Sequence, residues 1–499
     1  MGRVKNATLP YILSFITLGL IICLFYQLYL AITSQFWSAY PFTELVVSFV
    51  SISVVLKFMP ILFVKTDLFV PFYNIAMYPP KRSNISKMEW ANEMMRRKKY
   101  GKLPFSSKYP NGWYSVCRSS DLAKGQVKPV NILDKNLAVF RGEDGVAYVV
   151  DAYCPHLGAN MSVLGKVIRN CLQCPFHGWT FRGEDGVCVD IPYSTSTNTT
   201  YPKQARVNSH IVMERNGVVF MWFHSEEAEP DWVIDPIEDY EGYYEAGQIT
   251  HTINCHISEI PENGADFAHF FMLHEDNMLA GGDMQITKSK LGKLMTHKWT
   301  PKNWTVGYGE EKHMIKFDLH LETYFGQSSI RVPGFNEMKA EVRQMGPAYV
   351  SLKIDLGLLF QGYFIQTIQP EEQFLQRVTH RIIAKPHNQL LLTKLYLQSE
   401  RFQFERDVSM WNHKVYQTNP VLIKDDGPIR KYRNWYQQFY STVAKKDDSA
   451  EINQNPKYSQ KSAEVVQSTT SDKEVTENSI IVNGHADKSG WKKPNDLDW

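Results

Sequence analysis

Residues 154–158 read CPHLG, and residues 174–178 read CPFHG. Each stretch supplies one thiolate and one imidazole: Cys154 with His156, then Cys174 with His177. Pro155 and Pro175 stiffen the two loops, while Gly158 and Gly178 permit tight backbone turns. Matched loops of this kind point to a metal. Zinc accepts the same donors, but zinc fingers pair their ligands as Cys-Cys and His-His, whereas here each loop mixes them. The mixed pairing suits a two-iron, two-sulfide cluster in which one iron takes two cysteines and the other two histidines. Cys171 lies outside the Cys-x-x-His unit and reads as a buried free thiol. Cys117, Cys188 and Cys255 carry no partner pattern and read as ordinary buried residues. Seven cysteines, an odd and sparse set in 499 residues, exclude a secreted disulfide framework.

Around these loops, residues 112–225 are rich in short strand-like runs such as VAYVVDAY (146–153) and HIVMERNGVVFMWFH (210–224). Asn216-Gly217 between apolar runs is a hairpin signal, so a small all-β domain is expected. Upstream, Tyr11 to Thr33 contains no charged residue and is long enough to span a bilayer. Leu45 to Val64 is a weaker span, interrupted by Lys57. The first run exceeds a signal-peptide core and no small-residue cleavage site follows it. Arg3 and Lys5 precede the runs, a basic group from Lys65 to Lys99 follows them, and Ser34 to Glu44 carries no base. That asymmetry predicts a membrane helix or helical hairpin with both ends cytosolic.

The expected organisation is therefore α+β: a membrane anchor over 1–70, a juxtamembrane connector over 71–111, the all-β domain over 112–225, and an antiparallel-sheet domain with helices over 226–441. In that last domain 348–370 and 374–386 read as strands, and 258–274 and 396–416 as helices. Residues 442–499 are polar and nearly free of aromatics, the composition of a disordered tail. Net charge is +2, with 54 basic against 52 acidic side chains, so no global field favours nucleic acid.

A second constellation lies in ENGADFAHFFMLH (262–274). Asp266 and His269 lie three apart and share a helix face. Five residues at about 100° each put His274 roughly 140° from His269, so the helix must distort or end between them. Two histidines plus one carboxylate make the facial triad of non-haem Fe(II) oxygenases, with positions left open for O2. Asp266 is too close in sequence to be the obvious carboxylate. In ERFQFERDVSMWNHKVY (400–416) the candidates are Asp407 and, second, Glu405.

The two cysteine-histidine loops resemble those of Rieske domains, and the continuation FHGWTF (176–181) resembles Rieske oxygenases. The extra loop cysteines of respiratory Rieske proteins are replaced here by Ala159 and Phe176, which removes their disulfide. Within the oxygenases, CPHLGANMSVLGKV, CPFHGWTFRGEDGVC and HISEIPENGADFAHF resemble the Neverland-type cholesterol 7-desaturases of animals, over roughly residues 100 to 440. NPVLIKDDGPIRKYRNWYQQFY (419–440) also resembles the end of the sterol ring hydroxylases, which supports Asp407. The resemblance implies a [2Fe–2S] cluster on Cys154, His156, Cys174 and His177, and mononuclear Fe(II) on His269, His274 and Asp407. Asp266 would connect the two sites across neighbouring subunits of a ring-like homotrimer. The implied reaction is desaturation of cholesterol between C7 and C8 with O2 and NAD(P)H-derived electrons.

No G-x-G-x-x-G follows a strand, so those electrons are expected from a separate flavin-containing reductase. The expected location is a membrane, the endoplasmic reticulum, with the catalytic domain cytosolic. A sterol-ring hydroxylase would use the same machinery. The second constellation argues against a mere electron carrier, and an N-terminal anchor argues against a chlorophyll-catabolic oxygenase.

Overall fold

The computed structural model describes residues 66–80, 84–98, 103–195, 201–276, 281–284, 295–325, 337–356, 360–386 and 390–441. The two apolar runs, Cys23 and the 442–499 segment lie outside the described residues. Among the described residues no helix is long and apolar enough to cross a membrane. The fold is α+β and rich in antiparallel sheet.

The smaller lobe holds three short sheets. Val127–Ile132, Lys135–Arg141, Ala147–Asp151 and Ser209–His210 form one; Gly112–Arg118, Val218–Phe223 and Val212–Arg215 form the second. The hairpin expected at Asn216-Gly217 is there: Arg215 pairs with Val218, and the two turn residues take φ of 51° and 71°. Two positive φ values match the right-handed twist of the flanking strands. The third sheet comprises Lys166–Ile168, Cys171–Gln173, Thr180–Arg182 and Cys188–Asp190. Its core of Phe140, Met161, Leu172 and Phe181 also encloses Cys154, Cys174 and Cys188.

The larger lobe is one eight-stranded sheet in the spatial order Thr66–Val70, Tyr244–Ile253, Leu375–Ala384, Gln361–Glu372, Tyr349–Asp355, Glu337–Met345, Met314–Phe325, Met295–Val306. The helix Leu390–Trp411 packs on Tyr244–Ile253 and Leu375–Ala384. The helix expected over 396–416 spans Leu390–Trp411 instead, and two further expectations change. The single helix expected over 258–274 is two, Glu259–Glu262 and Phe267–Leu273. The boundary drawn at residue 70 also moves, because Thr66–Val70 pairs in parallel with Tyr244–Ile253 as an edge strand of the large sheet.

The connector is structured in part. Its helix Lys87–Arg97 starts on a capping box in which Ser86 and Glu89 satisfy each other's backbone N–H. Lys98 Nζ then donates to the Asn254 carbonyl at 3.1 Å and the Trp411 carbonyl at 3.1 Å. A buried guanidinium joins the lobes: Arg118, on the small lobe, reaches Asp67 at 2.7 Å and Glu245 at 3.1 Å on the large sheet. Asp121 of the small lobe, at 2.8 Å, is the third carboxylate on this guanidinium.

Candidate active site

The first group of side chains sits on two loops with the same backbone design. Gly158 N donates to the Cys154 carbonyl at 2.9 Å, and Gly178 N donates to the Cys174 carbonyl at 3.1 Å. Both glycines take positive φ, 75° and 77°, and a Cβ at Gly178 would meet Pro192 Cγ at 2.8 Å. The turns therefore need glycine, and they aim both thiols into the core of the small lobe. Cys154 and Cys174 are buried, while His156 and His177 are half-buried.

The two imidazoles lie edge to face with centroids 4.7 Å apart, and His156 stacks flat on Trp179 at 4.7 Å. Burial pushes the Cys154 thiol up to about 11, the nearby Cys174 thiol adds to this, and a backbone bond at His156 opposes it. His156 Nδ1 is buried with no hydrogen-bond partner. An orphaned ring nitrogen costs free energy in a packed protein, and the two thiols converge on each other. Both features are what a metal cluster would satisfy, so the four residues fit a [2Fe–2S] group with sulfurs inward and imidazoles outward. Cys171, expected to be buried, is only half-buried and is a free thiol.

The second group is built around the short helix Phe267–Leu273. Asp266 is its N-cap, accepting from His269 N at 3.3 Å. The helix ends at Leu273 and His274 is the C-cap, with φ −114° and ψ 6°. The angular conflict between His269 and His274 is thus resolved by termination: His274 leaves the helical screw and turns back toward His269, ring centroids 5.1 Å apart. Trp299 Nε1 holds that end by donating to the His274 carbonyl at 3.0 Å.

The long helix Leu390–Trp411 supplies the third side chain, and the ligand atoms of His269, His274 and Asp407 all lie within 4.8 Å of one another. Glu405, two residues and about 200° from Asp407 around the axis, faces elsewhere. It accepts from Arg401 at 2.6 Å and lies 3.6 Å from His251.

Neighbouring groups fix which ring nitrogen faces inward. His269 Nδ1 donates to the Asp266 carbonyl, which can only accept, leaving Nε2 toward the trio. His274 Nδ1 lies 2.7 Å from Gln403 Oε1 and its Nε2 3.0 Å from Asp407 Oδ1. Arg406 Nη1 donates to that same Gln403 oxygen at 3.1 Å and to the carbonyls of Leu273 and Asp276 at 3.1 Å each. The guanidinium therefore orients Gln403, which orients His274.

Burial lowers the affinity of His274 for a proton, but the Asp407 charge and bonds from Asp407 and Gln403 outweigh it, so its pKa is raised. Burial holds His269 below its ordinary value despite the same carboxylate. Two imidazoles and a carboxylate whose ligand atoms converge fit a divalent metal. Sequence reasoning missed Gln403 and Arg406, although their offsets of four and one from Asp407 place both on the same helix.

Known proteins were then compared with the chain. Residues 112–202 match the Rieske [2Fe-2S] domain, and residues 221–440 match the 3-ketosteroid 9alpha-hydroxylase C-terminal domain. The cholesterol 7-desaturase of Xenopus laevis is 40% identical over 368 residues, 73% of this chain and 78% of that one. The cholesterol 7-desaturase of Drosophila melanogaster is 38% identical over 74% of this chain and 83% of its own length.

The chain belongs to the cholesterol 7-desaturase family of Rieske oxygenases.

Among solved structures, caffeine-bound Pseudomonas putida NdmA is similar at 16% identity with a TM-score of 0.49, covering 68% of this chain and 97% of that one. Family membership makes this chain an oxidoreductase whose 112–202 segment is a [2Fe-2S] domain. Both constellations fall inside matched regions: Cys154 to His177 in the first, His269, His274 and Asp407 in the second.

Proposed function

We propose that this chain desaturates cholesterol between C7 and C8, giving 7-dehydrocholesterol. The observation that carries the reading is the convergence of His269, His274 and Asp407 in a chain 40% identical to a cholesterol 7-desaturase over 73% of its length. The balanced reaction takes cholesterol, O2, NAD(P)H and a proton to the diene, two waters and NAD(P)+. When bound, a [2Fe–2S] cluster on Cys154, His156, Cys174 and His177 passes single electrons, and Fe(II) on His269, His274 and Asp407 activates O2.

The chain's own residues do the rest. The Asp266 carbonyl and Gln403 hold the two imidazoles in their tautomers, Arg406 anchors the turn that ends at His274, and Trp179 fixes the plane of His156. Asp266 connects the two sites, with the neighbouring subunit of a homotrimer supplying the other half. Electrons arrive from a separate flavin-containing reductase. The apolar runs Tyr11–Thr33 and Leu45–Val64 anchor the chain in the endoplasmic reticulum membrane, with the catalytic domain in the cytosol.

A sterol-ring hydroxylase is the second reading, favoured by the match of residues 221–440 to a 3-ketosteroid 9alpha-hydroxylase domain. Cells expressing the chain and fed labelled cholesterol separate the two: a labelled 5,7-diene supports desaturation. A labelled ring alcohol as sole product replaces it with hydroxylation.

A further inference from the structure

The long helix that delivers Asp407 carries an additional polar group on the same stripe. Tyr396, Glu400, Gln403 and Asp407 are spaced four, three and four apart, so at about 100° per residue all four fall within roughly 60° of one another. Two members of the stripe, Gln403 and Asp407, grip His274. At the far end Tyr396 stacks on Phe360 at 5.4 Å, lies 6.5 Å from Phe364, and donates to Met338 Sδ at 3.0 Å. All three are buried; Phe364 and Met338 belong to the large sheet, and Phe360 immediately precedes the strand Gln361–Glu372.

Glu400 stands between this apolar wall and the metal-binding trio. It has no hydrogen bond or ion pair to any of the described residues, in contrast to Glu405 one turn further on, which meets Arg401 at 2.6 Å. Desolvation raises the Glu400 carboxyl to about 7; the proximity of His274 opposes this and that of Asp407 adds to it. The Glu400 side chain is only half-buried, so its unpartnered carboxyl faces open space beside the trio, where a ligand can meet it.

We propose that Glu400 is a specificity-determining residue that hydrogen-bonds the hydroxyl of the sterol, setting the distance from that hydroxyl to the metal-binding trio. The inference rests on the desaturase reading above. Seven residues of helix separate Glu400 from Asp407, about 10 Å along the axis. Cholesterol is a rigid plate with one polar atom, on the ring adjoining the ring that is desaturated. Holding that atom at Glu400, with the plate lying along Tyr396 and the sheet aromatics, presents the adjoining ring toward His269, His274 and Asp407. A carboxylate accepts from a hydroxyl, and a protonated carboxyl also donates to one. One such polar contact in an otherwise apolar site fixes orientation more than it adds affinity.

The test compares cholesterol with its 3-deoxy analogue, which keeps the rings and loses the hydroxyl. Wild type, Glu400→Leu and Glu400→Gln are each assayed with reductase, NAD(P)H and O2, with the cluster absorption spectrum as the check of folding. Glu400→Ala takes the place of Glu400→Leu if the leucine variant does not hold its cluster.

The expected result is that wild type favours cholesterol over the 3-deoxy sterol about tenfold in kcat/KM. Glu400→Leu loses that preference through a rise in KM for cholesterol alone, and Glu400→Gln, which can still donate and accept, retains most of it. Equal loss on both sterols, or unchanged discrimination in the leucine variant, overturns the assignment of Glu400 while leaving the desaturase reading in place. Absence of turnover of either sterol by wild type overturns both.

Discussion

His274 Nε2 lies 3.0 Å from Asp407 Oδ1, although the two residues are 133 positions apart in the chain. The contact joins the end of one short helix to the middle of a long one. It is the joint on which the candidate iron site turns, because His269 and His274 alone offer two neutral donors and no charge. Asp407→Ala is expected to abolish sterol conversion and strip the mononuclear iron while leaving the cluster intact. Iron analysis with the cluster absorption spectrum as internal reference checks this: one iron lost from three, with the spectrum unchanged. Full turnover by this variant would move the third ligand elsewhere.

Among the described residues, Gln403 Oε1 meets His274 Nδ1 and Arg406 Nη1. Gln403→Leu keeps the side chain's bulk but removes the acceptor that orients His274 Nδ1. Iron affinity should fall about 10- to 100-fold, the usual consequence of removing a partner that orients a metal-binding histidine. Gln403→Glu, which restores an acceptor, should recover most of it. Titration of the apoprotein with Fe(II) reads the difference, and equal affinity in the leucine variant would show that His274 needs no such support.

Asp266 has a structural duty as well as its proposed place between the two sites. Its carboxylate caps the helix Phe267–Leu273, and asparagine caps a helix about as well as aspartate. Asp266→Asn should therefore keep the fold and both metal contents, yet slow oxidation of the reduced cluster in a single turnover. Oxidation at the wild-type rate would contradict a role in electron transfer.

Truncation tests the corrected boundary. A chain lacking residues 1–65 retains the edge strand Thr66–Val70 and the Asp67–Arg118 ion pair, and should fold and bind both metals. A chain lacking residues 1–70 loses five paired residues and one of the three carboxylates on Arg118, so it should unfold at a lower temperature. Thermal unfolding of the two truncated proteins side by side gives the comparison. Equal midpoints would mean the edge strand contributes nothing.

Some of these relationships were legible in the sequence because they are local. The cluster loops declare themselves by donor type and by a proline and glycine at matched places, and Asn216-Gly217 is a turn whose chemistry demands positive φ. That the helix must distort or end between His269 and His274, if both reach one metal, followed from the angles; that it ends came from the structure. What stayed hidden depends on long-range pairing. Nothing in TDLFV (66–70) says that it pairs with Tyr244–Ile253, since an apolar strand next to an apolar run reads as part of that run. Gln403 looks like any helical glutamine until the chain brings it to His274, 129 positions away. The break of the 258–274 segment into two helices was equally concealed, because Gly264 within an apolar-periodic stretch lowers helix propensity without forbidding a helix.

The most direct measurement uses cholesterol carrying deuterium at both C7 and C8, incubated with the purified chain, a reductase, NAD(P)H and O2. Mass spectrometry then follows the label in the sterol product. The account predicts a 5,7-diene that has lost one deuterium from each of C7 and C8, with variants of His269, His274 or Asp407 giving none. A ring alcohol that retains the C8 deuterium, or conversion undiminished by those substitutions, would contradict it.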